Sequence, residues 1–379
     1  MKRLWYIIAD YLRETDKLFM IICLFTSLFG CAAVLSTTRF TGSSRQFLTQ
    51  LVGTLLGLAA AIFISNLDFV TITRHWYVAA LIGLVPVILT FFIGVAPEGT
   101  DDRAWLILPG GLSFQPAELL KIAFIVTFSA HLGKVADEVN KLKKLIPLCI
   151  HGAIPVVLIH FQGDDGTALV FALMFVCMLV SAGLSWKYVV SALGAAVVAA
   201  PIVYFFVMNS DQKKRLQVIF DLESDLLGAG YQQWRGRAAL ASGGIFGQGY
   251  MKGELTGLGS NGVPEGYNDF IFTCIGEELG MLGCLAVVIL LATICLRALR
   301  NAKICKNPIG KYICVGFFGM VAAQTIINIG MCVSILPVIG ITLPFFSAGG
   351  TSLCCLYFGV GLVLSAYLHR DSRIVYLRS

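Results

Sequence analysis

The stretch Phe270-Ile271-Phe272-Thr273-Cys274-Ile275-Gly276-Glu277-Glu278-Leu279-Gly280-Met281-Leu282-Gly283-Cys284-Leu285-Ala286-Val287-Val288-Ile289-Leu290-Leu291-Ala292-Thr293-Ile294-Cys295-Leu296 decides the fold class. Glu277 and Glu278 are its charges, and as a helix it is long enough to cross roughly 30 Å of hydrocarbon, which takes about twenty residues. Similar apolar runs recur at 18–36, 47–67, 77–96, 112–132, 145–161, 167–184, 188–208, 312–336 and 344–368. We therefore expect an all-α, polytopic membrane protein of about ten transmembrane helices. The composition agrees: 57% of the chain is hydrophobic and 13% charged, whereas a soluble domain carries about 25% charged residues.

The net charge of +6 is distributed rather than clustered. With ten spans and a retained N-terminus, the segments assigned to the cytoplasm hold eighteen Lys and Arg, and the short outside loops hold Arg39, Arg45 and Arg103. That asymmetry follows the positive-inside rule and places both termini in the cytoplasm. The acidic and basic stretch before Leu18 lacks a small-residue cleavage site and reads as retained. The charge is thus an orientation signal, not a nucleic-acid footprint. Most of the twelve cysteines fall inside apolar spans without metal-type spacing, which predicts small packing residues and no disulfide framework.

The seventh span is followed by a long loop, 209–269, placed outside by the topology. Long loops in compact proteins are usually functional or disordered. This one carries Tyr231, Trp234, Phe246 and Tyr250 with balanced charge, which suits an ordered loop on the outer membrane face. Leu216, Ile219, Phe220 and Leu222 share one face of an interfacial helix within 211–227. The glycine-rich run 242–262 reads either as a loop closing over a ligand or as a flexible linker. No separate soluble domain or repeat is evident, so 1–379 reads as one transmembrane domain with the loop inside it.

Ionisable groups at membrane depth cost roughly 2.5–3.5 kcal/mol each and face a partner or a cavity. Glu118 and Lys121, three residues apart, share a helix face and can pair, either as a self-neutralising couple or as one wall of a polar cavity. Gln162-Gly163-Asp164-Asp165-Gly166-Thr167 sets two carboxylates side by side, so at least one needs a cation or a raised pKa. Asp269, in Pro264-Glu265-Gly266-Tyr267-Asn268-Asp269, is a helix N-cap or a member of a site. Glu277 and Glu278 are buried structural carboxylates or part of the cavity. Near Asn328, the run 336–351 contains Pro337, Pro344, Gly349 and Gly350, a composition for broken backbone lining a cavity. These clusters converge on one side of the membrane.

Phe114-Gln115-Pro116-Ala117-Glu118-Leu119-Leu120-Lys121, Pro264-Glu265 with Asp269-Phe270-Ile271-Phe272, Gly276-Glu277-Glu278-Leu279-Gly280, and Pro344-Phe345-Phe346-Ser347 with Gly349-Gly350 resemble, in order and spacing, the motifs of the SEDS family of cell-wall proteins, the RodA, FtsW and SpoVE group. The likeness covers essentially the whole chain, and its short N-terminal extension is most similar to RodA. It implies a peptidoglycan glycosyltransferase for cell elongation or division, polymerising lipid II into glycan strands at the outer face of the cell membrane. Asp269 matches the essential loop aspartate of that family, and Trp105, Glu118, Lys121, Asp164 and Ser347 match cavity positions. Two departures stand out: Gly163 and Asp165 replace a proline and an apolar residue, and Gly266-Tyr267-Asn268 replaces Ala-His-Thr.

Glycosyl transfer needs a base for the acceptor hydroxyl and stabilisation of a leaving pyrophosphate. We expect Asp269 as the base, with Lys121 and Arg103, or a loop arginine such as Arg215, Arg235 or Arg237, near the phosphates. A divalent cation, Mg or Mn, is a candidate bridge between carboxylates and pyrophosphate. The resemblance also implies a class B penicillin-binding transpeptidase as partner, met through small residues Gly280, Gly283, Gly316 and Gly319 unless these pack within the chain. A lipid II flippase or transporter is the alternative, because broken helices and intramembrane charges also describe carriers. A non-catalytic scaffold is a third.

Overall fold

A computed structural model of the chain describes residues 13–96, 102–108, 112–221, 225, 228 and 230–372. The sequence before Arg13, and Arg373 and Arg378 among the counted charges, lie outside the described residues. The described chain runs α1 (Lys17–Thr37), α2 (Arg45–Ser65), α3 (Phe69–Arg74), α4 (Trp76–Ile93), β1 (Leu106–Leu108), β2 (Leu112–Phe114), α5 (Pro116–Val135), α6 (Leu142–Phe161), α7 (Asp165–Ser181), α8 (Trp186–Ile202), α9 (Ser210–Phe220), α10 (Tyr231–Gly243), α11 (Glu254–Gly257), α12 (Ile271–Ile304), α13 (Pro308–Cys332) and α14 (Gly350–Leu368). The all-α class is as expected, and the antiparallel β1–β2 hairpin is the sole sheet among the described residues.

Eight of these helices are long and apolar enough to cross a membrane, α8 being counted with its π-helical continuation as Trp186–Phe206. The expected fourth and sixth spans are also helical, but α5 carries Glu118, Lys121 and Lys134, and α7 has 17 residues. Length and apolarity therefore support eight spans outright rather than ten.

Starts and breaks follow from side chains. Asp16 caps α1, accepting from the Phe19 amide at 3.1 Å, and it also binds Arg297 and Asn301 of α12. This ties the start of the first span to the far end of α12. The seam between α2 and α14 is the most extensive helix pairing. Gly53, Gly57 and Ala61 recur every fourth residue on α2, and a Cβ at Gly53 would lie 2.4 Å from the Gly350 carbonyl. Small residues at this spacing let helix backbones approach where no hydrophobic effect drives association in lipid.

By contrast, no residue of α8 is buried, and it stands away from the bundle. Gly316 packs against Ile125 and Met178, and Gly319 against Met174 and Cys177, while Gly283 meets Leu279 and Ile275 of its own helix. Gly316 and Gly319 are therefore occupied within the chain. The apolar surface that α12 leaves exposed is instead formed by Met281, Leu285, Ile289 and Leu296.

The described residues of the long loop carry the helices α9, α10 and α11. A helix stands within the expected stretch as α9, opened by an Asn209–Gln212 capping box and ending at Phe220, while Leu222 of the expected apolar face lies outside the described residues. The glycine-rich run does not hang free, because it mends a break in α12. Gly280 has φ 68° and ψ −164°, a conformation accessible essentially to glycine. The amides of Gln248 and Gly249 donate to the Glu277 and Glu278 carbonyls, and the Met281 amide donates to Gly244, each at 2.9 Å. Backbone groups freed by the break thus find partners in the loop.

Candidate active site

The segment before α12 belongs to no helix or ladder, so its carbonyls need other donors. They find them on α13 and in the broken backbone between α13 and α14. The Ala348 amide donates to Tyr267 at 2.8 Å, the Ser347 hydroxyl to Asn268 at 2.7 Å, and the Asn328 amide group to Asp269 at 2.7 Å. Asn328 also donates to the Ile341 carbonyl at 2.7 Å, and Ser347 accepts from the Leu343 amide at 2.7 Å. Asn328 is fully buried, so these bonds form where water cannot compete. Three consecutive carbonyls are fixed, and Asp269 is held by its backbone while its side chain is left free.

Among the described residues the Asp269 carboxylate has no hydrogen-bond or ion-pair partner, which goes beyond the N-cap reading. It sits beside Gly340, whose Cβ, if it had one, would lie 3.6 Å from Oδ2. Burial chiefly, then the charges of Glu265 and Asp164, push its pKa up to about 7. The residue nevertheless keeps a partly exposed surface. A carboxylate that is crowded, uncompensated and reachable can take up a proton near neutrality.

Asp164 contributes a second carboxylate. It caps α7, accepting from the Thr167 amide at 2.8 Å, and receives the Gln115 side chain at 2.8 Å. Burial raises its pKa to about 6, opposed by the Thr167 hydrogen bonds, raised further by Asp102 and opposed again by Lys121. The departure at Gly163 now has a cause. This residue adopts φ 93°, and a Cβ there would lie 2.8 Å from Asp102 Oδ1. Proline, fixed near −65°, cannot take that conformation. The Asp165 departure also has a role: its carboxylate meets His160 Nδ1 at 2.5 Å and accepts from Gln212 of α9 at 2.6 Å, pinning the loop to the α6–α7 junction.

Glu118 and Lys121 form the expected pair at 2.7 Å, with Lys121 1% exposed. Glu118 lines a narrow cleft that also includes Ser347 and Gln324, whereas the Lys121 ammonium is spent on Glu118. Trp105 lies just before β1, bridged to Val95. Thr351 of α14 donates to the Ser113 carbonyl at 3.1 Å, so the hairpin spans this end of the bundle. Of the candidate arginines, Arg235 is bound to the Gly262 and Asn261 carbonyls and Arg215 to Val338. Arg103 and Arg237 are exposed and without a partner among the described residues.

Glu277 and Glu278 are structural. Glu277 accepts from the Leu255 and Thr256 amides and the Thr256 hydroxyl at 2.6–2.8 Å, and Glu278 binds Arg39 at 2.5 Å and Ser36 at 2.6 Å. They anchor the glycine-rich loop. Sequence reasoning missed Gln50, which is fully buried in α2, donates to the Ser347 carbonyl at 3.0 Å and accepts from the Gly349 amide at 2.9 Å. A glutamine early in an apolar span was the available signal. It missed Gly340 as well.

The chain is similar to a curated protein of Geobacter sulfurreducens named probable peptidoglycan glycosyltransferase FtsW, with 31% identity over 341 residues and 89% of each chain covered. It is also similar to the Escherichia coli peptidoglycan glycosyltransferase MrdB, 34% identical over 268 residues and 71% of each chain. In fold it resembles the crystal structure of the Thermus thermophilus rod shape determining protein RodA, with TM-score 0.69, 22% identity, and 95% of this chain and 98% of that one covered. A chain from a peptidoglycan synthase complex gives TM-score 0.78 at 24% identity, covering 95% of this chain and 99% of that one. The family model for the FtsW, RodA and SpoVE cell cycle proteins matches residues 14–372, so with the motifs, the bundle and the pinned aspartate in place, the chain belongs to that SEDS family.

Proposed function

We propose that this protein is a peptidoglycan glycosyltransferase in which Asp269 is the general base. The observation that carries this reading is the free Asp269 carboxylate on a backbone fixed by three hydrogen bonds. The relatives named peptidoglycan glycosyltransferases support the reaction class.

In the proposed reaction the substrate is lipid II, reached from the outer leaflet. Asp269 takes the proton of the acceptor sugar hydroxyl as that oxygen attacks the anomeric carbon of the donor, and the lipid pyrophosphate departs. Fixed placement of the base removes orientational freedom from that step. Arg103 and Arg237, whose guanidiniums are uncommitted, meet the pyrophosphate, and α10 carries Arg237 beside the start of α12, where Gly236 touches Phe270. Lys121 acts through Glu118 and Asp164 rather than by touching phosphate. Trp105, Glu118, Asp164 and Ser347 shape the site.

No three His, Cys, Asp or Glu side chains converge among the described residues. A magnesium-type cation takes one or two carboxylates plus substrate phosphates, and Asp164 and Asp269 fit that pattern. Such an ion would neutralise the leaving pyrophosphate. The termini lie in the cytoplasm, following the charge asymmetry. A class B penicillin-binding transpeptidase covers the exposed α12 face of Met281, Leu285 and Ile289.

The test is reconstitution of the purified chain in proteoliposomes with lipid II, with and without the transpeptidase. The wild type forms glycan polymer, whereas Asp269→Asn inserts and folds but forms none. Wild-type synthesis by that variant would remove Asp269 as base, and lipid movement without polymer would favour the transporter.

A further inference from the structure

A long cavity lies away from Asp269, between α4, α5 and α6. Its volume of about 520 Å³ falls within the roughly 300–1,000 Å³ of small-molecule sites. The lining on α5 runs from Leu120 to Lys134, a slot about 21 Å long at 1.5 Å rise per residue. Its walls are almost wholly apolar from Leu120 to mid-length, where Thr127 begins a polar row that continues through His151 and His131 to Lys134. That shape suits an extended hydrocarbon chain with a polar head.

The polar end is unexplained by the proposed chemistry. His131 Nδ1 lies 3.1 Å from His151 Nδ1, and His151 Nε2 lies 3.2 Å from the Thr127 hydroxyl. One imidazole must donate to the other. The Thr127 hydroxyl donates either to the Phe124 carbonyl at 3.3 Å or to His151 Nε2, and in the second arrangement the relay ends with an N–H at His131 Nε2. That atom has no partner among the described residues, nor does the Lys134 ammonium, whereas nearby Glu138 is engaged by Lys141 and Lys144. Paired histidines at membrane depth mark a ligand or pathway rather than mere packing. Basic pockets between transmembrane helices bind anionic lipid headgroups.

We infer that this cavity binds one anionic phospholipid, its phosphate held by His131 Nε2 and Lys134 and one acyl chain lying along α5 toward Leu120. The chain then buttresses the helix that carries Glu118 and Lys121. This site is independent of the glycosyltransferase reading and stands or falls by its own measurement.

The experiment uses the full chain, purified in neutral detergent and stripped of loosely held lipid. Retained lipid is identified by mass spectrometry, and thermal unfolding is followed while phosphatidylglycerol or phosphatidylcholine is added. We expect a retained anionic phospholipid and a rise in Tm with phosphatidylglycerol at concentrations where phosphatidylcholine gives little. His131→Leu with Lys134→Gln should weaken the phosphatidylglycerol response about fivefold per lost contact, at about 1 kcal/mol each. Ala80→Trp, which fills the slot, should abolish retention of either lipid. Equal responses to the two lipids, retention of a polyprenyl lipid instead, or undiminished retention in the folded variants would each overturn the assignment.

Discussion

At the scale of single residues, the pKa of Asp269 near 7 has a signed consequence. As the proposed base, Asp269 acts in its deprotonated form, so polymerisation should rise with pH through about 7. Glu265 is the larger of the two charges that raise this pKa, and it binds the Asn268 side chain at 2.7 Å outside the clamp. Glu265→Gln should therefore move the acid limb of the pH–rate profile to lower pH, and an unmoved limb would show that burial alone sets it. Linkage runs the same way: the folded state holds a proton on Asp269 that the unfolded chain has lost above about 4, so stability falls as pH rises from about 4 to 7. Asp269→Asn should be at least as heat-stable as the wild type at pH 8, by thermal shift. The Glu118–Lys121 pair behaves differently. Removing one member of a buried pair costs roughly 3–5 kcal/mol by stranding the other, so Lys121→Met alone should unfold at a lower temperature than the Glu118→Gln, Lys121→Met double variant. Equal melting of both would mean the pair is not coupled. The Glu118–Lys121 pair was legible in sequence from its spacing within an apolar span, but the partner of Asp164 was not, because Gln115 lies 49 positions away.

At the scale of elements, the break in α12 is the feature that joins loop to bundle. The motif Gly276-Glu277-Glu278-Leu279-Gly280 reads in sequence as part of one long helix, and only the backbone at Gly280 reveals two segments. Alanine at 280 would meet φ 68° and the Ile245 carbonyl at 2.4 Å, so Gly280→Ala should cost at least the roughly 1–3 kcal/mol of a strained backbone. It should also loosen the loop, seen as faster proteolysis near Lys252 and lower polymer yield. Unchanged cleavage would mean that the loop is held by Glu277 and Glu278 alone. The same logic explains the glycine-rich run, whose composition signals tight approach without naming what is approached.

At the scale of the whole molecule, orientation is the testable property. Single cysteines at Arg103 and Lys143, introduced into a chain whose exposed Cys149 has been replaced, should react with a membrane-impermeant maleimide from opposite sides of intact cells or spheroplasts, Arg103→Cys from outside. Labelling of both from one side would refute the assigned topology. The all-α membrane class, the loop and the family motifs were determined by sequence alone, because the bilayer demands long apolar helices and that demand is written locally in each span. Tertiary structure decided what the spans could not: that Asp269 is pinned through Asn328 and Ser347 while its carboxylate stays free, that Glu277 and Glu278 are anchors, and that α8 stands apart. These depend on contacts between residues tens to hundreds of positions apart, and hydropathy, which averages over neighbours in the chain, carries no record of them.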